Sequence, residues 1–117
     1  VDQLERYHLM DGFATYQIFT KKNRLDQKNP IVYPMIGLTG EVGEVAEKIK
    51  KVMRDKDGVF SQEDKDAIKL ELGDVLYYLS ELARDLDIWF EEVPLANINK
   101  IESRAARGKL RGSGDYR

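Results

Sequence analysis

The chain has 117 residues, with 19 Lys or Arg against 21 Asp or Glu and a formal net charge of −2. That fits one small soluble domain and argues against a globally basic nucleic-acid binder. There is no cysteine and a single histidine, His8. Disulfide scaffolds, thiolate zinc sites, iron–sulfur clusters, cysteine nucleophiles and His-rich metal sites within one chain are therefore excluded, and chemistry must run on carboxylates, amines, guanidiniums, hydroxyls and amides.

Residues 2 to about 21 carry Leu4, Tyr7, Met10, Phe13, Ala14, Ile18 and Phe19 at helical spacing. Asn29-Pro30 breaks that pattern, because the residue before a proline avoids the α region. Pro34 predicts the opening of a second helix, running to about Arg54. Asp57-Gly58 is a turn signal. Ser61-Gln62-Glu63-Asp64 resembles a capping box with Asp in place of the usual Glu or Gln. A third helix is expected from about residue 62 to 90, and a fourth from Pro94 to about 107. No stretch alternates apolar and polar residues long enough for a sheet. The expectation is an all-α bundle of about four helices in one domain, 1–117, with a Gly-rich basic tail at 108–117. A domain this small leaves much apolar surface uncovered, so completion by homo-oligomerisation is expected. No apolar run approaches the ~20 residues of a membrane span. The first residues lack the basic and apolar regions of a signal peptide. The expected location is cytoplasmic.

A short internal echo carries the chemistry. Glu41-Val-Gly-Glu44-Val45 and Glu71-Leu-Gly-Asp74-Val75 both read acid, aliphatic, Gly, acid, Val, thirty residues apart on two expected helices. On a helical wheel of about 100° per residue, Val42, Val45, Ala46, Ile49, Val52 and Met53 form one apolar stripe. Ile68, Leu72, Val75, Leu76, Leu79, Leu82, Ala83 and Leu86 form the other. Glu41 and Glu71 sit at the edges of their stripes, and Glu44 and Asp74 lie about one turn further along, displaced toward the polar side. Two helices packed by these stripes would bring Glu41, Glu44, Glu71 and Asp74 together at the rim of the core. A glycine inside a helix costs roughly 1 kcal/mol relative to alanine, so Gly43 and Gly73 suggest close helix approach or room for a ligand. Four neighbouring carboxylates either take up protons or bind cations. Without nitrogen or sulfur ligands, Mg²⁺ fits first and Mn²⁺ next. The Glu-x-x-His motif of ferritin-like di-iron sites is absent. Lys48 and Lys51 are placed for i,i+4 pairs with Glu44 and Glu47.

At these residues the chain resembles the MazG-like nucleotide pyrophosphohydrolases, of the all-α NTP pyrophosphatase superfamily. The shared signature is Glu41-x-x-Glu44 followed by Glu71-x-x-Asp74, and it continues at Asn97, Lys100 and Arg104. Many members carry a further Glu just before the first motif, where this chain has Gly40. The resemblance implies Mg²⁺-dependent hydrolysis of a nucleoside triphosphate between the α and β phosphates, giving a monophosphate and pyrophosphate, in nucleotide-pool control or house-cleaning. It implies Glu41, Glu44, Glu71 and Asp74 as metal ligands. One acid, Glu44 or Glu47, would orient the attacking water. Asn97, Lys100 and Arg104 would donate to phosphate oxygens. Tyr78, one turn after Asp74, is the first candidate for the base, with Phe13, Tyr16 and Gln17 further candidates. A homotetramer or homodimer is implied, with active sites near a subunit interface. Trp89 reads as a packing or interface residue, and His8 as structural or exposed. The alternative is a non-catalytic helical protein-interaction module with surface acids, which predicts no turnover. Binding of a nucleic acid polymer through the basic tail is disfavoured by the slightly acidic whole.

Overall fold

The structure, a computed structural model, describes residues 2–24 and 28–108, without the side chains of Tyr7, Leu9 and Met10. The tail expected from Lys109 onward lies outside the described residues. Four helices run in chain order: α1 (Gln3–Lys22), α2 (Val32–Asp55), α3 (Gln62–Asp85) and α4 (Glu92–Ala106). Among the described residues there is no strand, so the all-α expectation holds. None of these helices is long and apolar enough to cross a membrane.

The helix ends follow local chemistry. Asp2 caps α1, accepting from the Glu5 amide at 2.8 Å while the Glu5 side chain accepts from the Asp2 amide at 3.2 Å. The expected box opens α3: the Asp64 amide donates to Ser61 Oγ at 3.1 Å and the Ser61 amide donates to Asp64 Oδ2 at 2.9 Å. Both α2 and α4 begin two residues earlier than expected, with Pro34 and Pro94 at the third helical position. A proline is tolerated there because the first-turn amides have no intrahelical acceptor.

Helix α3 stops at Asp85 rather than near residue 90. The Ile88 amide donates back to the Ala83 carbonyl at 2.8 Å and the Asp87 amide to the Arg84 carbonyl at 3.0 Å. Asp87 adopts φ +58°. This is a Schellman ending, with Asp instead of the usual Gly in the left-handed position. Gln17 then secures the turn from α1, donating from Nε2 to the Ile88 carbonyl at 3.1 Å and accepting from the Phe90 amide at 3.0 Å.

Helices α2 and α3 run antiparallel: Gly37 meets Tyr78, Lys48 meets Glu71 and Lys56 meets Asp64. Helix α1 packs on α3 and α4, and among the described residues α4 packs on α1 alone of the helices. The contact between α1 and α3 is unusually polar. Thr20 and Ser80, both fully buried, share a hydrogen bond of 2.9 Å. Glu81 is 0% exposed, held by Arg84 at 2.7 Å and Arg24 at 3.2 Å. Arg24 also forks onto Asp85, whose Oδ2 accepts from the Ile31 amide at 2.8 Å. Burying these charges is tolerable because each is paired.

The two apolar stripes form the α2–α3 seam only in part: Val45, Val52, Ile68 and Val75 are covered. Seam positions on α2 are Leu38, Glu41, Val45, Lys48 and Val52, while Val42, Ile49 and Met53 stay exposed. On α3, Leu72, Leu79 and Leu86 are exposed as well. The stripe is rotated by about 60° from the face that meets the neighbour, so Val45 and Val52 belong to both.

Candidate metal centre

Glu41 lies on the α2 seam, and Glu71 and Asp74 lie one turn apart in the middle of α3. Each offers a carboxylate oxygen, and the three oxygens lie within 4.8 Å of one another. Glu41 and Glu71 are half-buried and Asp74 is exposed, so the cluster opens to solvent on one side. Burial raises the Glu41 carboxyl above its ordinary range, and the charges of Asp74, Glu71 and Glu44 add to the shift. Such crowding marks a centre short of positive charge. Three oxygen donors and an open side suit a hard divalent cation that keeps room for water and phosphate oxygens.

Glu44, the fourth expected ligand, is exposed on α2 and outside this group. Three residues past Glu41 it is rotated off the seam by about 60°. Seven residues past Glu41 a side chain returns to within about 20° of it, and Lys48 stands there. Its Nζ is 3.6 Å from Glu71 Oε1. The expected i,i+4 pairs give way to this contact across the seam and to a Lys50–Glu47 pair at 2.8 Å. Lys48 was missed as part of the centre because its local partner on the same helix was the obvious one. The seven-residue spacing from Glu41 was the available signal.

Two tyrosines flank the carboxylates. Tyr78 lies against α2 at Gly37, where an added Cβ would collide with the ring. Burial raises its hydroxyl pKa, with smaller contributions from Tyr33 and Glu41. Tyr16 reaches the same region from α1, its hydroxyl pKa raised by burial and then by the charge of Asp74. Tyr16, Phe13, His8, Gly12 and Leu76 line an open cleft of about 310 Å³. Phe13 also packs edge-on to Phe90 with centroids 5.1 Å apart. Gln17 is buried and its amide is spent on the α3–α4 turn at both ends, so its placement is that of a structural clamp. Trp89 is exposed.

Asn97, Lys100 and Arg104 sit on α4, exposed, half-buried and buried respectively. Among the described residues the α4 backbone comes close to α1 and to neither α2 nor α3, so these three stand on a helix that does not pack on the two helices carrying the carboxylates.

The chain is similar to the Gene 37 protein of Mycobacterium phage L5, 49% identical over 92 residues that make up 79% of this chain and 81% of that one. No solved structure matches it. Residues 34–108 match the MazG nucleotide pyrophosphohydrolase domain, a span that holds the three clustered carboxylates and most of α2, α3 and α4, and the chain belongs to that family.

Proposed function

We propose that the protein is a divalent-cation-dependent nucleoside triphosphate pyrophosphohydrolase that cleaves between the α and β phosphates, releasing monophosphate and pyrophosphate. The observation that carries this reading is the Glu41–Glu71–Asp74 cluster, three carboxylate oxygens within 4.8 Å on the seam of two helices. Bare, the cluster would repel a triphosphate. Mg²⁺, or Mn²⁺ in its place, supplies the positive charge that draws in the phosphates and activates water. Glu41, Glu71 and Asp74 hold that cation, and exposed Glu44 joins from the rim or orients the attacking water.

Tyr16 and Phe13 wall the cleft for the nucleobase, a flat apolar ligand with stacking faces, and Tyr78, near the carboxylates on the α2 side, offers a second aromatic face. Gln17 acts behind them by fixing the turn that carries Phe90. Asn97, Lys100 and Arg104 donate to phosphate oxygens. Since α4 does not pack on the helices carrying the carboxylates of its own chain, these donors reach the site from a second copy in a homodimer or homotetramer. The uncovered Val42, Ile49 and Met53 of α2 and Leu72 and Leu79 of α3 support assembly through that face. The reaction suits control of the nucleotide pool.

The test is pyrophosphate release from a panel of ribo- and deoxynucleoside triphosphates with Mg²⁺, with Mn²⁺ and with chelator, beside Glu71→Gln. Pyrophosphate and monophosphate formed only with metal, and lost in the variant by a factor of at least about 10², are expected. Folded, metal-supplied protein that releases pyrophosphate from no nucleotide would sink the reading in favour of an interaction module.

A further inference from the structure

We infer that Lys48 is a resident counter-cation of the carboxylate centre: it neutralises Glu71 while no divalent cation is bound and moves off into the adjoining cavity when one binds. The inference rests on the reading of the three carboxylates as a cation site. Lys48 occupies the seam two turns after Glu41, and its Nζ lies 3.6 Å from Glu71 Oε1 with the side chain 38% exposed. It is thus a positive charge on one of three carboxylates whose oxygens crowd within 4.8 Å. Their mutual repulsion is partly offset by the ammonium as long as nothing else offsets it.

The same side chain lines a cavity of about 190 Å³ between α2 and α3, walled also by Val52, Ala67 and Ile68. The small Ala67 leaves space where a longer residue would fill it. Asp64 on the same wall holds Lys56 at 2.7 Å and Asp55 is held by Arg54 at 2.7 Å, so the space offers room beside solvent rather than a new carboxylate partner. The Lys48 stem can swing into this space and leave its ammonium hydrated without repacking the helices. A divalent cation and an ammonium on one carboxylate repel each other, so binding the first displaces the second. Lys48 acts through Glu71 and is a positioning residue. Its presence stabilises the cation-free protein and weakens cation binding. A lysine that merely propped Glu71 in its ligating orientation would do the opposite.

The sign of the change in cation affinity decides. Mn²⁺ alone, without nucleotide, is titrated into the full chain, and bound and free ion are measured by electron paramagnetic resonance for the wild type, Lys48→Met and Lys48→Arg. Both variants keep the aliphatic stem. Lys48→Met is expected to bind Mn²⁺ about three- to ten-fold more tightly. It is also expected to melt a few degrees lower than wild type in chelator and at an equal temperature when loaded. Lys48→Arg is expected to bind like the wild type. Unchanged or weaker binding by Lys48→Met overturns the counter-cation role and leaves the proposed reaction standing. A wild-type protein that binds no Mn²⁺ overturns the cation site itself, and that result is read before any variant is compared.

Discussion

A methyl group added at Gly37 would collide with the Tyr78 ring, whereas at Gly43 or Gly73 it would meet nothing within 4 Å. Alanine in place of glycine inside a helix is worth about 1 kcal/mol, and overpacking costs about 1–3 kcal/mol. Gly43→Ala and Gly73→Ala are therefore expected to stabilise the fold by up to about 1 kcal/mol each. Gly37→Ala is expected to lower stability by about 1 kcal/mol, the overpacking cost less the helix gain. It should also displace Tyr78 from its place beside Glu41. Denaturant melts of the three variants check this, and an equal gain at all three would show that the ring yields freely. The sequence pointed to the two glycines inside the acid pairs as sites of close helix approach or of room for a ligand. The structure puts that role one turn before Glu41, because which glycine meets a neighbour depends on the seam and not on the motif around it.

The beginning of α3 was more legible than its end. Ser61 and Asp64 announced the start of α3 because capping chemistry is local, three residues apart in the chain. The end of α3 was hidden, since its left-handed residue is Asp87 rather than a glycine and its clamp, Gln17, comes from another helix. For the same reason the acid pairs were readable as i,i+3 spacings, while the Lys48–Glu71 contact and the separation of α4 from the carboxylates depend on tertiary placement. The cap of α3 also has a pH signature. The ammonium of Lys56, with the Ser61 amide and hydroxyl, holds the Asp64 carboxyl down at about 2 against its ordinary 3.8. A carboxylate depressed in the folded state contributes stability above its unfolded value, and that contribution is lost as pH falls from 3.8 toward 2. Asp64→Asn is accordingly expected to melt below wild type at neutral pH, with the gap closing across that acid window. Paired thermal melts from neutral pH down to strong acid measure it, and a gap that persisted unchanged at the acid end would assign the loss to something other than the carboxylate charge.

At the scale of the whole molecule, the single chain is open. Its radius of gyration is 17.0 Å, against about 13 Å for a compact domain near this size. Among the described residues the buried apolar side chains are few, Pro34, Val52, Ala83 and Phe90, while Val42, Leu72 and Leu79 remain uncovered on the helices that carry the acids. The donors proposed for the phosphates stand on α4, which packs on α1 and not on those helices. Both facts are met at once if a second copy covers the α2–α3 face and lends its α4. In that case the defects Glu71→Gln and Lys100→Ala fall in different chains of one site. Each variant alone is expected to be inactive or strongly impaired. Co-refolded in equal amounts, a dimer forms half its population as heteromers, each with one site that takes intact acids from one chain and an intact Lys100 from the other. Roughly a quarter of the wild-type rate should return. A site built from one chain alone allows no such recovery, because every acid-bearing subunit in the mixture would then carry its own defective Lys100. Pyrophosphate release from the mixture, measured beside sedimentation of the same sample, separates the two arrangements: turnover restored in a confirmed heteromer places α4 in trans, a confirmed heteromer without turnover returns the phosphate donors to their own chain, and a Lys100→Ala protein that is active by itself removes Lys100 from the site.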